Sequence, residues 1–138
     1  MAPSAKIRSL RRSTPGCRVI AYVDLSARLV LYADSDESVP QEVLDALCLR
    51  GTRLLGGAVA DAAMQALAAA SPPREAILFR NGAIEAFIRA SGGSDEALCC
   101  VLSPVVALDP FLAAAGAEID RLAAPEDAQA AQVPERNP

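Results

Sequence analysis

The stretch EAILFRNGAIEAFIR, residues 75–89, decides the fold of this 138-residue chain. Two apolar runs flank Asn81 and Gly82, and both of these residues tolerate the positive φ that a two-residue hairpin turn requires. Prolines precede the stretch and a pair of glycines follows it, so turn signals bound it on both sides. The stretch therefore predicts an antiparallel pair of strands.

Three further segments extend this predicted sheet. Residues 17–24 and 29–34 are rich in β-branched and aromatic side chains and are joined by a short link, which is typical of a second hairpin. Residues 97–102 follow the glycine turn and form a fifth strand. Apolar residues occupy both parities of the first two runs, so we expect both faces of the sheet to be covered.

A long helical region is predicted between the two hairpins. Ser38 and Gln41 have the spacing of a capping box, so we expect a helix to begin there. Apolar residues then recur at near-helical spacing, and these are Val43, Leu44, Leu47, Leu54 and Leu55. Gly56 and Gly57 permit a break before a second helical piece over residues 58–70.

A last helix is predicted after the fifth strand. Asp109 and Pro110 are suited to an N-cap and a first-turn proline. One face of this helix is apolar and carries Phe111, Ala115, Ile119 and Leu122. The order is strand, strand, long helix, strand, strand, strand, helix. It predicts one α+β domain over residues 17–124, built on a five-stranded antiparallel sheet.

The amino-terminal residues differ in charge from the rest of the chain. The cations Lys6, Arg8, Arg11, Arg12 and Arg18 all precede the first acidic residue, Asp24. We expect residues 1–16 to form a flexible basic arm, and the polar, proline-bearing residues 125–138 to form a disordered tail. The net charge of −4 argues against a nucleic-acid binder, because phosphate binding depends on clustered cations.

The sequence carries no segment suited to a membrane or to export. The longest apolar stretch, residues 97–108, contains Ser103 and Pro104 and is too short to span a bilayer. No apolar signal-type segment follows the basic arm. The four cysteines lack CxxC spacing and are expected to be reduced, buried thiols, so we expect a cytoplasmic protein.

The residue inventory argues against an enzyme. There is no His, the commonest general base and metal ligand. Neither a GxSxG nor a GxxxxGK[ST] motif occurs. Asp34, Asp36 and Ser38 faintly resemble a calcium loop, but Val39 stands where a sharp bend needs Gly. We therefore predict no catalytic residue, no cofactor and no metal, while a reactive thiol at Cys17 or Cys48 stays open as an alternative.

The order of these elements resembles the roadblock/LC7 domain, a profilin-like fold with helices on both sides of a five-stranded antiparallel sheet. The resemblance is carried by Val23 and Asp24 entering the first turn, the hairpin over residues 76–88, the strand over 97–102 and the helix over 110–122. It covers roughly Cys17 to Leu122. The basic arm is expected to stand where the family has an amino-terminal helix.

The resemblance implies a non-catalytic homodimer that contacts other proteins, often small GTPases or motor and scaffold complexes. We expect residues 75–81 to lie at a sheet edge, where an identical strand can pair with them. The predicted dimer interface uses this strand and the helical region over residues 44–67, and its named residues are Ile77, Leu78, Phe79, Leu54 and Val59. Two other functions stay open: a small-ligand sensor of similar topology, and a small enzyme that uses a cysteine or carboxylates.

Overall fold

The computed structural model describes residues 2–70 and 73–124. The elements in chain order are α1 (Pro3–Arg12), β1 (Cys17–Asp24), β2 (Leu29–Ser35), α2 (Gln41–Gly56), α3 (Ala58–Leu67), β3 (Glu75–Arg80), β4 (Ala83–Arg89), β5 (Glu96–Leu102) and α4 (Leu108–Leu122). The predicted order of five strands with a long helical region and a last helix is therefore confirmed. The predicted tail over 125–138 lies outside the described residues.

The five strands form one sheet in the order β2-β1-β5-β4-β3. Every neighbouring pair is antiparallel, as predicted. The β3–β4 hairpin continues into β5 as a meander, and β5 then pairs with β1 to join the two hairpins. This order leaves β2 and β3 at the two edges of the sheet.

Helices cover the two faces of the sheet. On one face, here called the α4 face, α1 packs against β1 and β2 while α4 packs against β4 and β5. On the other, the α2 face, α2 crosses all five strands, and among the described elements α3 packs against α2 alone. Each face has its own apolar cluster, one around Ile20, Ile88 and Phe111 and the other around Leu47 and Phe87.

The turn between β3 and β4 takes the backbone conformation that the sequence predicts. Asn81 has φ of 52° and Gly82 has φ of 72°, the two positive values of a type I′ turn. Arg80 and Ala83 form the last pair before the turn, and the pairing continues without a register shift to Glu75 and Ile88. The turn therefore fixes the register of the whole hairpin.

The prediction of a flexible arm over residues 1–16 is wrong, because residues 3–12 form α1. Pro3 lies at the start of this helix, where its missing N–H costs nothing. Ile7 and Leu10 are buried in the α4-face cluster, and the Arg11 guanidinium pairs with the Asp34 carboxylate on β2. This helix is difficult to predict from the sequence, because only two large apolar residues anchor it among several cations.

Both predicted helix caps are displaced. The helix α2 begins at Gln41 with Pro40 at the N-cap position, and no side chain caps it, so the capping box at Ser38 does not form. Similarly, α4 begins at Leu108, and Asp109 lies in its first turn instead of capping it. The predicted break after Gly56 is confirmed, since Gly57 is extended between α2 and α3.

Candidate dimer interface

The strand β3 is an exposed apolar edge. Within the described part of the chain it pairs only with β4, and its outer side has no strand beside it. Phe79 is 73% exposed and Ile77 is 36% exposed. The pairing with β4 shows no bulge, so the free edge is regular. Unpaired backbone groups beside apolar side chains offer a surface on which another strand can pair.

The predicted interface residues on β3 point to different faces of the sheet. Ile77 and Phe79 lie opposite Ala86 and Ile84 of β4, so they share the α4 face with those residues. Leu78 lies on the α2 face, where it is partly buried against the apolar cluster. The exposed apolar surface of the edge therefore belongs mainly to Ile77 and Phe79.

The helical residues of the predicted interface lie on the α2 face. Leu54 of α2 is partly buried and packs against the same cluster as Leu78. Val59 of α3 is 54% exposed, and Leu67 near the end of that helix is 77% exposed.

A charged network ties α2 to the outer hairpin. Glu85 of β4 is buried, and the Arg50 guanidinium donates to both of its carboxylate oxygens, with Nε to Oε1 at 2.8 Å and Nη2 to Oε2 at 2.8 Å. The Arg80 Nη1 at the end of β3 lies 3.6 Å from Oε2. Such a bidentate pair fixes geometry as well as charge. This network was not predicted, because its only sign in the sequence is one acidic residue inside an apolar strand.

The helix α2 lies in close contact with the sheet at Gly51. Gly51 is buried, and a Cβ added there would lie 2.8 Å from the Cys99 Sγ and 3.1 Å from the Phe87 Cδ1. Only glycine allows the helix to approach the strands to this distance. The helix α2 is therefore packed directly on β4 and β5, the strands that carry Phe87 and Cys99.

The opposite edge, β2, is less suited to pairing with another strand. The β1–β2 ladder shifts register between Tyr22 and Val23, which marks a bulge or irregularity. Arg11 of α1 pairs with Asp34 of β2, so charged groups lie along this edge. Bulges and charges are devices that prevent edge-to-edge pairing. Leu29 is nevertheless 55% exposed, which makes it a useful reference position.

The four thiols are free and buried. Burial raises the pKa of Cys17 to about 12 and raises the pKa of Cys48, Cys99 and Cys100 as well. A thiol that keeps its proton is a poor nucleophile. Within residues 2–70 and 73–124, no group of three or more Cys, Asp or Glu side chains is arranged to hold a metal ion. None of the described helices has both the length and the apolar character to cross a membrane.

A cleft of about 370 Å³ beside the start of β3 offers little for a small ligand. Arg74, Arg89 and the glycine turn after β4 line it. The Arg74 Nη2 bonds to Asp120 Oδ2 at 2.9 Å, and the Arg89 Nη2 bonds to Asp95 Oδ1 at 2.8 Å. Both guanidinium groups are thus already paired with carboxylates, Arg74 with one on α4 and Arg89 with one in the turn before β5.

Comparisons with known proteins identify the fold. No protein-family model matches the sequence, and no curated protein matches it. A roadblock/LC7 domain from Streptomyces avermitilis has a similar structure, with a TM-score of 0.72 and 10% identity over 86% of this chain and 92% of that one. The gliding protein MglB from Thermus thermophilus gives a TM-score of 0.66 and 19% identity over 89% and 92%.

A further similar structure, of MglB with a tetrameric arrangement, gives a TM-score of 0.64 and 20% identity over 93% of each chain. These likenesses extend over nearly the whole of each relative. They confirm the predicted resemblance at the level of the fold.

Proposed function

We propose, on the premise that this chain has the roadblock/LC7 fold, that it is a non-catalytic homodimeric module that binds other proteins. The observation that carries the proposal is the free edge of β3, where Phe79 is 73% exposed on a strand without a bulge. A second copy related by a twofold axis would cover this edge in a closed way. Four free, buried cysteines support a cytoplasmic location, where thiols stay reduced.

The backbone groups available for pairing belong to alternate residues of β3. Arg80 and Ala83 close a two-residue turn, so they form a hydrogen-bonded pair, and the pairs alternate from there along the ladder. Leu78 therefore turns its N–H and C=O toward β4. Ile77 and Phe79 turn theirs to the free edge, so these two residues would form the hydrogen bonds to a second copy.

Twofold symmetry allows few registers for this pairing. In one continuous sheet, directly opposite residues share a face, so each residue must lie opposite one of the same parity. A register centred on Ile77 would place Arg74 opposite the partner's Arg80, and like charges directly opposite are destabilising. A register centred on Leu78 places Ile77 opposite the partner's Phe79. We propose the Leu78-centred register, because it buries the two exposed apolar side chains against each other.

The helices α2 and α3 would complete the interface on the α2 face. Leu78 at the twofold axis lies on this face, and Leu54 packs against the same cluster. Val59 and Leu67 add exposed apolar surface on α3. We therefore include Leu54 and Val59 in the proposed interface together with Ile77, Leu78 and Phe79.

Disulfide cross-linking tests the pairing and its register. In the Leu78-centred register, two Leu78→Cys residues form a non-hydrogen-bonded pair with Cα atoms about 4.5 Å apart, within disulfide range. The two Ile77 positions are then offset by two residues and lie about 9 Å apart, too far for a bridge. We expect Leu78→Cys, and not Ile77→Cys, to cross-link under mild oxidation.

The opposite result would establish the other register. Centred on Ile77, the Ile77→Cys thiols lie in a hydrogen-bonded pair about 5.5 Å apart, and the Leu78 positions move to about 8 Å. Cross-linking of neither variant, at concentrations where the wild-type chain is a dimer, would exclude both of these registers and contradict the proposed pairing. The cross-linked species is read as a band of doubled mass on a non-reducing gel.

The partner class that we propose is a small GTPase, or a motor or scaffold complex, following the resemblance to roadblock/LC7 domains. Support comes from the similar structures, one of which is called a gliding protein. Affinity purification from the native cell lysate, with the wild-type chain and the Phe79→Asp variant as baits, tests this proposal. We expect a small GTPase or motor component only with the wild-type bait. Recovery of neither class would contradict the proposed partner.

A further inference from the structure

A continuous groove runs between α1 and α4 on the α4 face. It consists of two cavities of about 250 Å³ and about 350 Å³ that share Leu10, Ser13 and Ala114 in their linings. Residues near the start of α1 face the end of α4 in the first cavity, and the order is reversed in the second. The two helices therefore lie antiparallel along the groove, which uses no residue of β3 or α2.

One end of the groove is apolar. Pro15, Val105, Pro110 and Phe111 line it, and Val105 is 87% exposed. Phe111 is buried and forms the floor. An apolar side chain of a ligand would be removed from water in this cavity.

The other end contains a carboxylate oxygen without a hydrogen-bond donor. Glu118 Oε1 accepts a hydrogen bond from Arg121 Nη2 at 2.9 Å. Glu118 Oε2 is buried, and no donor reaches it from the described part of the chain. Lys6, Ser9 and Ser13 line the same cavity. A buried acceptor without a donor is costly, so this oxygen marks a position where a ligand N–H or O–H would be stabilised.

One unpaired cation of α1 lines the groove. Residues 3–12 contain four cations and no acidic residue. Arg8 and Arg11 lie near Asp34 and are partly neutralised by it. Lys6 lines the groove, and within residues 2–70 and 73–124 its side chain forms no ion pair.

We propose that this groove binds an acidic amphipathic segment of a partner protein. An apolar side chain of the segment enters the cavity beside Val105, one of its carboxylates pairs with Lys6, and one of its N–H or O–H groups donates to Glu118 Oε2. The site goes beyond the proposed dimer interface, because it lies away from the β3 edge and remains accessible when that edge is paired.

Selection from a displayed library of random peptides tests the proposal. Peptides of about 12 residues are long enough to follow the ten-residue α1. Peptides are selected for binding to the full chain, with counter-selection against Lys6→Glu, and the affinity of the selected peptides is then measured by fluorescence anisotropy. We expect these peptides to be rich in Asp and Glu and to contain at least one large apolar residue. Their affinity should fall with salt, because paired surface charges are screened.

Matched variants assign the binding to the groove. We expect Lys6→Glu and Ala114→Glu each to lower the affinity for the peptide about tenfold or more, since each places a carboxylate against an acidic ligand. Arg28→Glu makes the same charge change at an exposed turn away from the groove and should leave the affinity within about twofold. Unchanged circular dichroism spectra show that the variants are folded.

Several outcomes would overturn the proposal. Selected peptides without an excess of Asp and Glu would overturn it. Selected peptides that bind Lys6→Glu as tightly as the wild-type chain would also overturn it. Failure to enrich any peptide would count equally against it. Co-sedimentation with anionic lipid vesicles that is lost in Lys6→Glu, without peptide binding, would assign the cations to a membrane surface instead. The dimer variant Phe79→Asp should bind the peptide normally, which separates this proposal from the dimer.

Discussion

The strands β3 and β4 belong to one hairpin and use similar residues, yet their environments differ. The interior positions of β4 from Ile84 to Ile88 are all buried, whereas no residue of β3 is. The cause is their place in the sheet, because β4 has a neighbour on both sides and helices on both faces, while β3 has one neighbour. The side chains of both segments favour a strand, whereas the order of strands in the sheet determines that β3, and not β4, has surface available for a partner.

Two phenylalanines provide the sharpest form of this comparison. Phe87 of β4 is fully buried and Phe79 of β3 is 73% exposed. We expect Phe87→Ala to lower the free energy of unfolding by about 3–5 kcal/mol, through lost burial and a residual cavity. Urea denaturation measures this directly.

Phe79→Ala is the matched control. It should change the free energy of unfolding of the dilute protomer by no more than about 0.5 kcal/mol, as at other surface positions. In a dimer, the unfolding midpoint depends on protein concentration, and this variant should lose that dependence. If the two variants lowered the free energy of unfolding by similar amounts at every protein concentration, the proposed difference between the two strands would be contradicted.

Two glycines of α2 test whether close packing of this helix encloses β4. A Cβ at Gly51 would meet Cys99 and Phe87, so Gly51→Ala should destabilise the fold by about 1–3 kcal/mol through overpacking. At Gly56 the nearest atom to an added Cβ is the Arg89 Nη1 at 3.7 Å. Gly56→Ala should therefore be neutral or stabilising, by up to about 1 kcal/mol. Thermal melts of the two variants measure both changes in stability. Equal changes would mean that α2 is packed against the sheet less closely at Gly51 than the structure indicates.

The pH dependence of stability tests burial on β1, which like β4 has a neighbour on each side. Burial raises the pKa of Cys17 from 9.0 to about 12. The unfolded chain therefore loses this proton near pH 9 while the folded chain keeps it, so the free energy of unfolding falls as pH rises through this window.

Replacing this thiol should remove its share of the pH dependence. Between about pH 8 and about pH 10, we expect the fall in the free energy of unfolding to be about 1.4 kcal/mol smaller in Cys17→Ala than in the wild-type chain. Urea denaturation in the presence of a reductant measures both. An equal fall in the two proteins would mean that Cys17 is accessible to solvent in the folded state.

The sequence allowed prediction of those parts of the fold that depend on local patterns. The Asn81 turn, the strands and the break after Gly56 each follow from neighbouring residues. The edge position of β3 was expected for another reason, the long connection that precedes the strand. The helix α1 could not be predicted, because its stability comes from burying Ile7 and Leu10 against distant strands. The pairing of Arg50 with Glu85 also joins residues far apart in sequence, so spacing gave no sign of it.

The proposed interface residues were named from the sequence, but not their arrangement. Ile77 and Phe79 point to the α4 face and Leu78 to the α2 face, which follows from strand alternation once the pairing is known. Which of them is exposed depends on which helix reaches β3. Among the described elements α2 contacts β3 and α4 does not, and no local sequence pattern indicates this tertiary feature. The choice of register rests on this arrangement.

Light scattering coupled to size exclusion tests the central claim, that the β3 edge pairs with a second copy, most directly. We predict that the wild-type chain at tens of micromolar has twice the 14.3 kDa mass of one chain, and that Phe79→Asp has the mass of one. Leu29→Asp, which places the same charge on the exposed β2 edge, should remain a dimer. A wild-type monomer, or a Phe79→Asp dimer as stable as the wild-type one, would contradict the claim.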